Sequence, residues 1–96
     1  MKKVYWVSVY QSVSNQEALT AYAKLAAPAM IANGGKFLAR GEPVAIIEAG
    51  LQQRVVLIEF ESLEIALAAY KSIGYQEALK ALGNSAVRDI RIIEAI

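Results

Sequence analysis

Glu59 and Arg40 are the two residues whose types and places could do chemistry. Glu59 lies in Arg54-Val55-Val56-Leu57-Ile58-Glu59-Phe60, a run that reads as a buried strand carrying one acid. On a strand it shares a face with Val55 and Leu57. A carboxylate in an apolar pocket is held towards its protonated form and could act as general acid or base. The alternative is a structural ion pair with Arg40, Arg54 or Arg88. Arg40 precedes Gly41, where a strand bends. Its planar fork could hold the carboxylate or enolate of a small substrate, or brace the strand against Glu42 or Glu48. Arg88 opens the last strand beside Asp89, either as a ligand contact or as one of a pair of solvated charges.

Aromatic residues supply the candidate ligand contacts. Tyr22, Tyr70 and Tyr75 fall on helical faces, where a tyrosine is commonly a core residue with one partner for its hydroxyl. Tyr75 opens a short helix after a glycine break, at the expected rim of a pocket. Trp6 lies in the first strand, where packing at a dimer face is favoured over a ligand platform. Gly34-Gly35-Lys36-Phe37 is no phosphate loop, because its glycines follow a helix and precede a strand.

Composition removes much other chemistry. The chain has 96 residues, no cysteine and no histidine, a formal net charge of +1 and 56% hydrophobic residues. Disulfides, thiolate nucleophiles, histidine bases and the usual zinc sites are therefore excluded, and no metal or cofactor is implied. Charge is balanced and unclustered, so nothing marks a nucleic-acid or anionic-membrane partner. The N-terminal apolar run is broken by Ser8, Gln11 and Ser12, and no stretch reaches the roughly 20 apolar residues of a membrane helix. The expectation is one domain spanning residues 1–96, soluble and cytoplasmic.

The elements that must position these residues follow from pattern. Val4–Tyr10 reads as a strand with Tyr5, Val7 and Val9 on one face and Val4, Trp6, Ser8 and Tyr10 on the other. Ser14-Asn15-Gln16-Glu17 fits a capping box with Ser14 as the cap. The helix after it runs to about Asn33, buries Leu19, Tyr22, Ala26 and Met30, and should kink at Pro28. Asn33-Gly34-Gly35 ends it. Strands are expected near Lys36–Arg40, Val44–Glu48 and Arg54–Phe60, with the turn between the last two at Leu51-Gln52-Gln53. Ser62 caps a second helix to about Lys71, with Leu63, Ala66, Leu67 and Tyr70 inward. A third helix spans Tyr75–Leu82, and Val87–Ala95 is the last strand.

This order is the split βαβ, or ferredoxin-like, α+β pattern: an antiparallel sheet, its first and third strands central, with helices on one face. The uncovered face is apolar as well, with Trp6, Phe37 and the aliphatic residues of the later strands assigned to it. A monomer would expose that patch, so a homodimer packed sheet to sheet through the open face is expected.

The pieces also resemble, in their order and spacing, the domain-of-unknown-function 1330 family of the dimeric α/β-barrel superfamily. They are Tyr5-Trp6, Pro28-Ala29, Gly34-Gly35-Lys36-Phe37-Leu38-Ala39-Arg40-Gly41, the run from Arg54 to Glu64, Ala69-Tyr70-Lys71-Ser72 with Tyr75-Gln76, and Arg88-Asp89. The chain departs from the pattern at Asn33, where the family usually has histidine, at Glu42, and at Ser72-Ile73-Gly74-Tyr75. The resemblance implies the fold and the dimer but no reaction. Within the superfamily it sits beside cofactor-free monooxygenases, muconolactone-isomerase-like enzymes and ligand-sensing domains. Two functions stand open: a cofactor-independent enzyme acting on a small hydrophobic carbonyl or phenol-like metabolite, with Glu59 moving the proton and Arg40 steadying the anion, or a non-catalytic ligand-binding or structural dimer.

Overall fold

The computed structural model describes residues 2–96. Seven elements follow in the order β1 (Val4–Val13), α1 (Gln16–Ala32), β2 (Lys36–Gly41), β3 (Val55–Phe60), α2 (Leu63–Lys71), α3 (Ile73–Leu82) and β4 (Ala86–Glu94). The strands form one antiparallel sheet in the order β2-β3-β1-β4, so the first and third strands are central as expected. This is the α+β ferredoxin-like fold, with an open rather than closed sheet.

Strand parity decides which face is covered. Val4, Trp6, Ser8 and Tyr10 of β1 are buried together with Val56, Ile58 and Phe60 of β3. They meet Leu19, Tyr22, Ala26 and Met30 of α1, Ala66 and Ala69 of α2, and Tyr75, Ala78 and Leu82 of α3. The α1 stripe is the one its three- and four-residue spacing predicts. In α2, Ala66 is buried as expected and is joined by Ala69, while Leu63, Leu67 and Tyr70 remain 40–49% exposed. Two alanines let α2 approach the sheet closely, and the larger side chains are turned to its flanks.

The elements end where backbone chemistry requires it. The cap of α1 is Asn15 rather than Ser14: the Asn15 side chain accepts from the Ala18 amide at 3.1 Å. Ser14 is drawn away because its amide and hydroxyl both donate to the Ser85 carbonyl, continuing the tie between β1 and β4. The helix runs uninterrupted through Pro28. At the corner after it, Gly34 adopts φ 93°, and a Cβ on Gly35 would meet the Met30 carbonyl oxygen at 2.9 Å. Only glycine lets β2 start that close to the helix end. Ser62 caps α2 by accepting from the Ile65 amide. Ser72 closes α2 and also caps α3, accepting from the Tyr75 amide at 3.3 Å, so Tyr75 is set within the first turn of α3.

Val44–Glu48 is not a strand. Gly41 pairs directly with Val55, which leaves residues 42–54 outside the ladder as a long hairpin loop. Glu48 takes φ 55°, a left-handed turn conformation rather than an extended one. Among the described residues no helix is long and apolar enough to cross a membrane.

Candidate functional site

The site is assembled around Arg88. As a residue of β4 level with Tyr10 of β1, it points into the helix side of the sheet. Its Nη1 donates to the Tyr22 hydroxyl at 2.9 Å and to the Tyr75 hydroxyl at 3.2 Å. The two hydroxyls are 2.7 Å apart and bonded to one another. The guanidinium carbon lies 5.1 Å from the Tyr22 ring centroid and 5.8 Å from that of Tyr10. Four elements thus converge on one cation: β1, α1, α3 and β4.

The electrostatics of this cluster have a direction. Burial pushes the Tyr22 phenol well above its ordinary pKa, the neighbouring Tyr75 adds to the effect, and Arg88 only partly opposes it. Burial disfavours the Arg88 charge, but Tyr22, Tyr75 and Tyr10 outweigh that and hold its pKa above the ordinary value. Neutral phenols therefore surround a permanent cation. Arg88 has no ion-pair partner among the described residues. Its sequence neighbour Asp89 is on the other face, bonded to Arg91 at 2.9 and 3.0 Å.

Beside Arg88 a cleft of about 420 Å³ opens between β4 and α2, lined by Trp6, Leu67, Tyr70, Arg88, Ile90 and Ile92. Its aromatic wall is continuous. The Trp6 ring lies 5.9 Å from both Tyr70 and Tyr75, edge-on to the latter, and Tyr70 lies 5.4 Å from Tyr75. A second, much narrower void of about 30 Å³ lies under α1 beside Ser8, Tyr22, Phe37 and Arg40. The Ser8 hydroxyl is buried there without a hydrogen-bond partner.

Four of the residues singled out in the sequence, Trp6, Tyr22, Tyr75 and Arg88, are therefore neighbours. Trp6 is 3% exposed on the helix side, not on the open face, because it has the parity of Val4 and Tyr10. Phe37 likewise faces the helices, packed against the core. Glu59 and Arg40 do not meet. Glu59 is on the open face, level with Tyr5 and Lys36, and its Oε2 lies 3.3 Å from Lys3 Nζ. That contact raises the Lys3 pKa, and it is with none of the three arginines considered in the sequence. Arg40 is level with Val56 on the helix side, 5.2 Å over the Phe37 ring. The residue between them that disturbs simple counting is Leu38, at an irregularity in the β2–β3 register. Sequence reasoning did not find Tyr10 as a third ring at Arg88. Its parity with Trp6 was the available signal.

The chain is similar over nearly its whole length to several solved structures. A protein of unknown function from Rhodopseudomonas palustris is 20% identical, with 98% of this chain and 81% of that one covered at a TM-score of 0.70. A dimeric ferredoxin-like protein of unknown function from Thermobifida fusca is 16% identical, covering 98% and 92% at 0.69. A cofactor-independent oxygenase from Streptomyces nogalater is 14% identical, covering 100% and 95% at 0.67. At these identities the likeness is one of fold. No curated protein matches the chain. The family described as a domain of unknown function, DUF1330, matches residues 3–96, almost all of the site-bearing fold, and the chain belongs to that family.

Proposed function

We propose that this protein binds a small hydrophobic carbonyl or phenol-like metabolite in the Trp6–Tyr70–Arg88 cleft, without a cofactor, as a homodimer. The observation that carries the reading is Arg88: a half-buried guanidinium with phenols, but no carboxylate, as partners. The phenols answer the charge with dipoles but leave it no counter-ion, and a ligand that brings an acceptor oxygen would add a charge-assisted hydrogen bond. Trp6, Tyr70, Leu67, Ile90 and Ile92 supply flat and aliphatic surface for the rest of such a ligand.

Binding is favoured over turnover by the contents of the cleft. Its lining contains no carboxylate, and the chain has no histidine. Glu59, the proposed proton-transfer group, lies across the sheet, so it could serve this cleft only by a route that does not run through its own protomer. The existence of a cofactor-independent oxygenase with the same fold keeps a cofactor-free reaction as the second reading.

The dimer reading rests on the open face. Tyr5, Val7, Val9, Val55, Leu57 and Ile93 share that face and are only partly covered or exposed. The exposed Val44 and Ile47 of the long loop add to the apolar surface. A second copy, as in the dimeric Thermobifida fusca protein, is the simplest cover.

Trp6 is the chain's single tryptophan, so the cleft carries its own reporter. Titration with aromatic aldehydes, ketones and carboxylates should quench or shift its fluorescence, and Arg88→Gln should weaken binding about tenfold or more. If no compound in such a panel perturbs Trp6 or raises the melting temperature, the binding reading fails.

A further inference from the structure

Resting on the cleft reading, we infer that the site takes its ligand as an oxyanion, and so makes a phenol or enolisable carbonyl that enters it a stronger acid. Around Arg88 hydrogen-bond donors outnumber the acceptors that meet them. Tyr22 and Tyr75 own one O–H each, and the bond between their oxygens uses one of the two. Both oxygens also accept from Arg88 Nη1. One phenol O–H is left over, whichever tyrosine donates to the other. The Nη2 and Nε groups of Arg88 have no acceptor among the described residues either. Tyr22 and Tyr75 stand behind the cleft rather than on its wall, so the polar groups that a ligand meets are the Tyr70 hydroxyl and Arg88, whose guanidinium brings the unspent N–H donors and the one fixed positive charge.

No group facing the cluster neutralises it. Tyr10 approaches from β1, Tyr22 from α1, Tyr70 from α2 and Tyr75 from α3. All four are phenols. Asp89 is committed to Arg91 on the opposite face, and Glu59 to Lys3 on that same face. A neutral carbonyl would use part of this donor set. An acceptor-only oxyanion uses it fully and supplies the missing counter-charge. Burial of the ligand opposes its ionisation, but the cleft is open on one side, while a cation in contact lowers an acid's pKa by about 1–3 units. Tyr22 stays neutral beside the same cation because it is enclosed under α1, whereas a ligand in the open cleft keeps one side in water, so that for the ligand attraction outweighs desolvation. The proton lost by the ligand goes to solvent, since the cluster offers no base.

The test uses 4-nitrophenol, whose ionised form absorbs visible light, with the intact protein in excess. The bound probe should ionise about one to three pH units below the free probe. Arg88→Gln, checked for native fold by circular dichroism, should abolish the shift. Nitrobenzene, which cannot ionise, should bind at least about tenfold more weakly at neutral pH. Quenching of Trp6 by 4-nitrophenol with an unshifted or raised ionisation would overturn the inference and leave the binding reading standing. Failure of 4-nitrophenol, nitrobenzene and benzoate alike to touch Trp6 would remove the binding reading, and the inference with it.

Discussion

The Tyr22 and Tyr75 hydroxyls sit 2.7 Å apart although 53 residues separate them in the chain. Tyr22 is held by the buried stripe of α1, and Tyr75 by the first turn of α3, whose cap is Ser72. Their rings meet edge to face with centroids 6.0 Å apart. The pair thus ties the two helices together and presents both oxygens to Arg88. Replacing either by phenylalanine should cost about 1–3 kcal/mol, because a buried donor loses its acceptor. The double variant should cost less than the two singles combined, with a coupling of about 0.5–3 kcal/mol in denaturant unfolding. Strict additivity would mean that the hydroxyl pair does not act as a unit.

Arg88→Met separates stability from binding. Replacing Arg88 by an apolar side chain of similar length removes the donor to two buried hydroxyls, which stay bonded to one another, and should cost about 1–3 kcal/mol. The melting temperature should fall accordingly but the protein should stay folded, while affinity for an aromatic carboxylate falls about tenfold or more. A large loss of stability would assign Arg88 a structural role instead.

Alkaline pH should expose the buried phenol. The Tyr22 pKa is raised on folding, so above the ordinary phenol value of about 10 the unfolded chain binds fewer protons than the native one. Stability contributed by keeping Tyr22 neutral is complete below about pH 10 and declines as pH rises towards the folded value. Urea midpoints measured from pH 8 to 11 should fall at the top of that range. Tyr22→Phe should flatten the decline, and an unchanged slope would place its origin elsewhere.

Glu59 and Lys3 form a partly exposed pair on the open face. Glu59→Gln should therefore shift the urea midpoint only slightly and leave ligand binding by Arg88 unchanged, since the sheet stands between them. Loss of Trp6 quenching in this variant would revive a part for Glu59 in the cleft.

A charge placed in the middle of the open face should separate protomers. Leu57 of β3 lies level with Val7 of β1 on that face. Leu57→Lys should convert a dimeric mass in sedimentation to a monomeric one. A monomeric native protein at micromolar concentration would refute the dimer outright.

Much of the fold was legible in the residues. The spacing of Leu19, Tyr22, Ala26 and Met30 defines the α1 stripe, and Gly34-Gly35 its end. Ser62 caps α2 as its position suggests, and the order of elements alone leads to the ferredoxin-like sheet with β1 and β3 central. These features are local, set by side-chain period and backbone chemistry within a few residues. Which side of the sheet the helices cover is not local. Both faces of β1 and β3 are apolar, so the sequence could not say that Trp6 and Phe37 lie beneath the helices while Glu59 lies outside. Packing against α1 and α3 settled it, and with it the separation of Glu59 from Arg40. Ser14 reads as a cap until Ser85, far along the chain, takes its hydrogen bonds. Val44–Glu48 has strand composition, but β2 and β3 already pair at Gly41 and Val55 and leave it outside the ladder. The sequence by itself determined most of the elements and their order. Only the tertiary structure decided that Tyr10, Tyr22, Tyr75 and Arg88 share one point, because four elements distant in the chain must pack together before their side chains can meet.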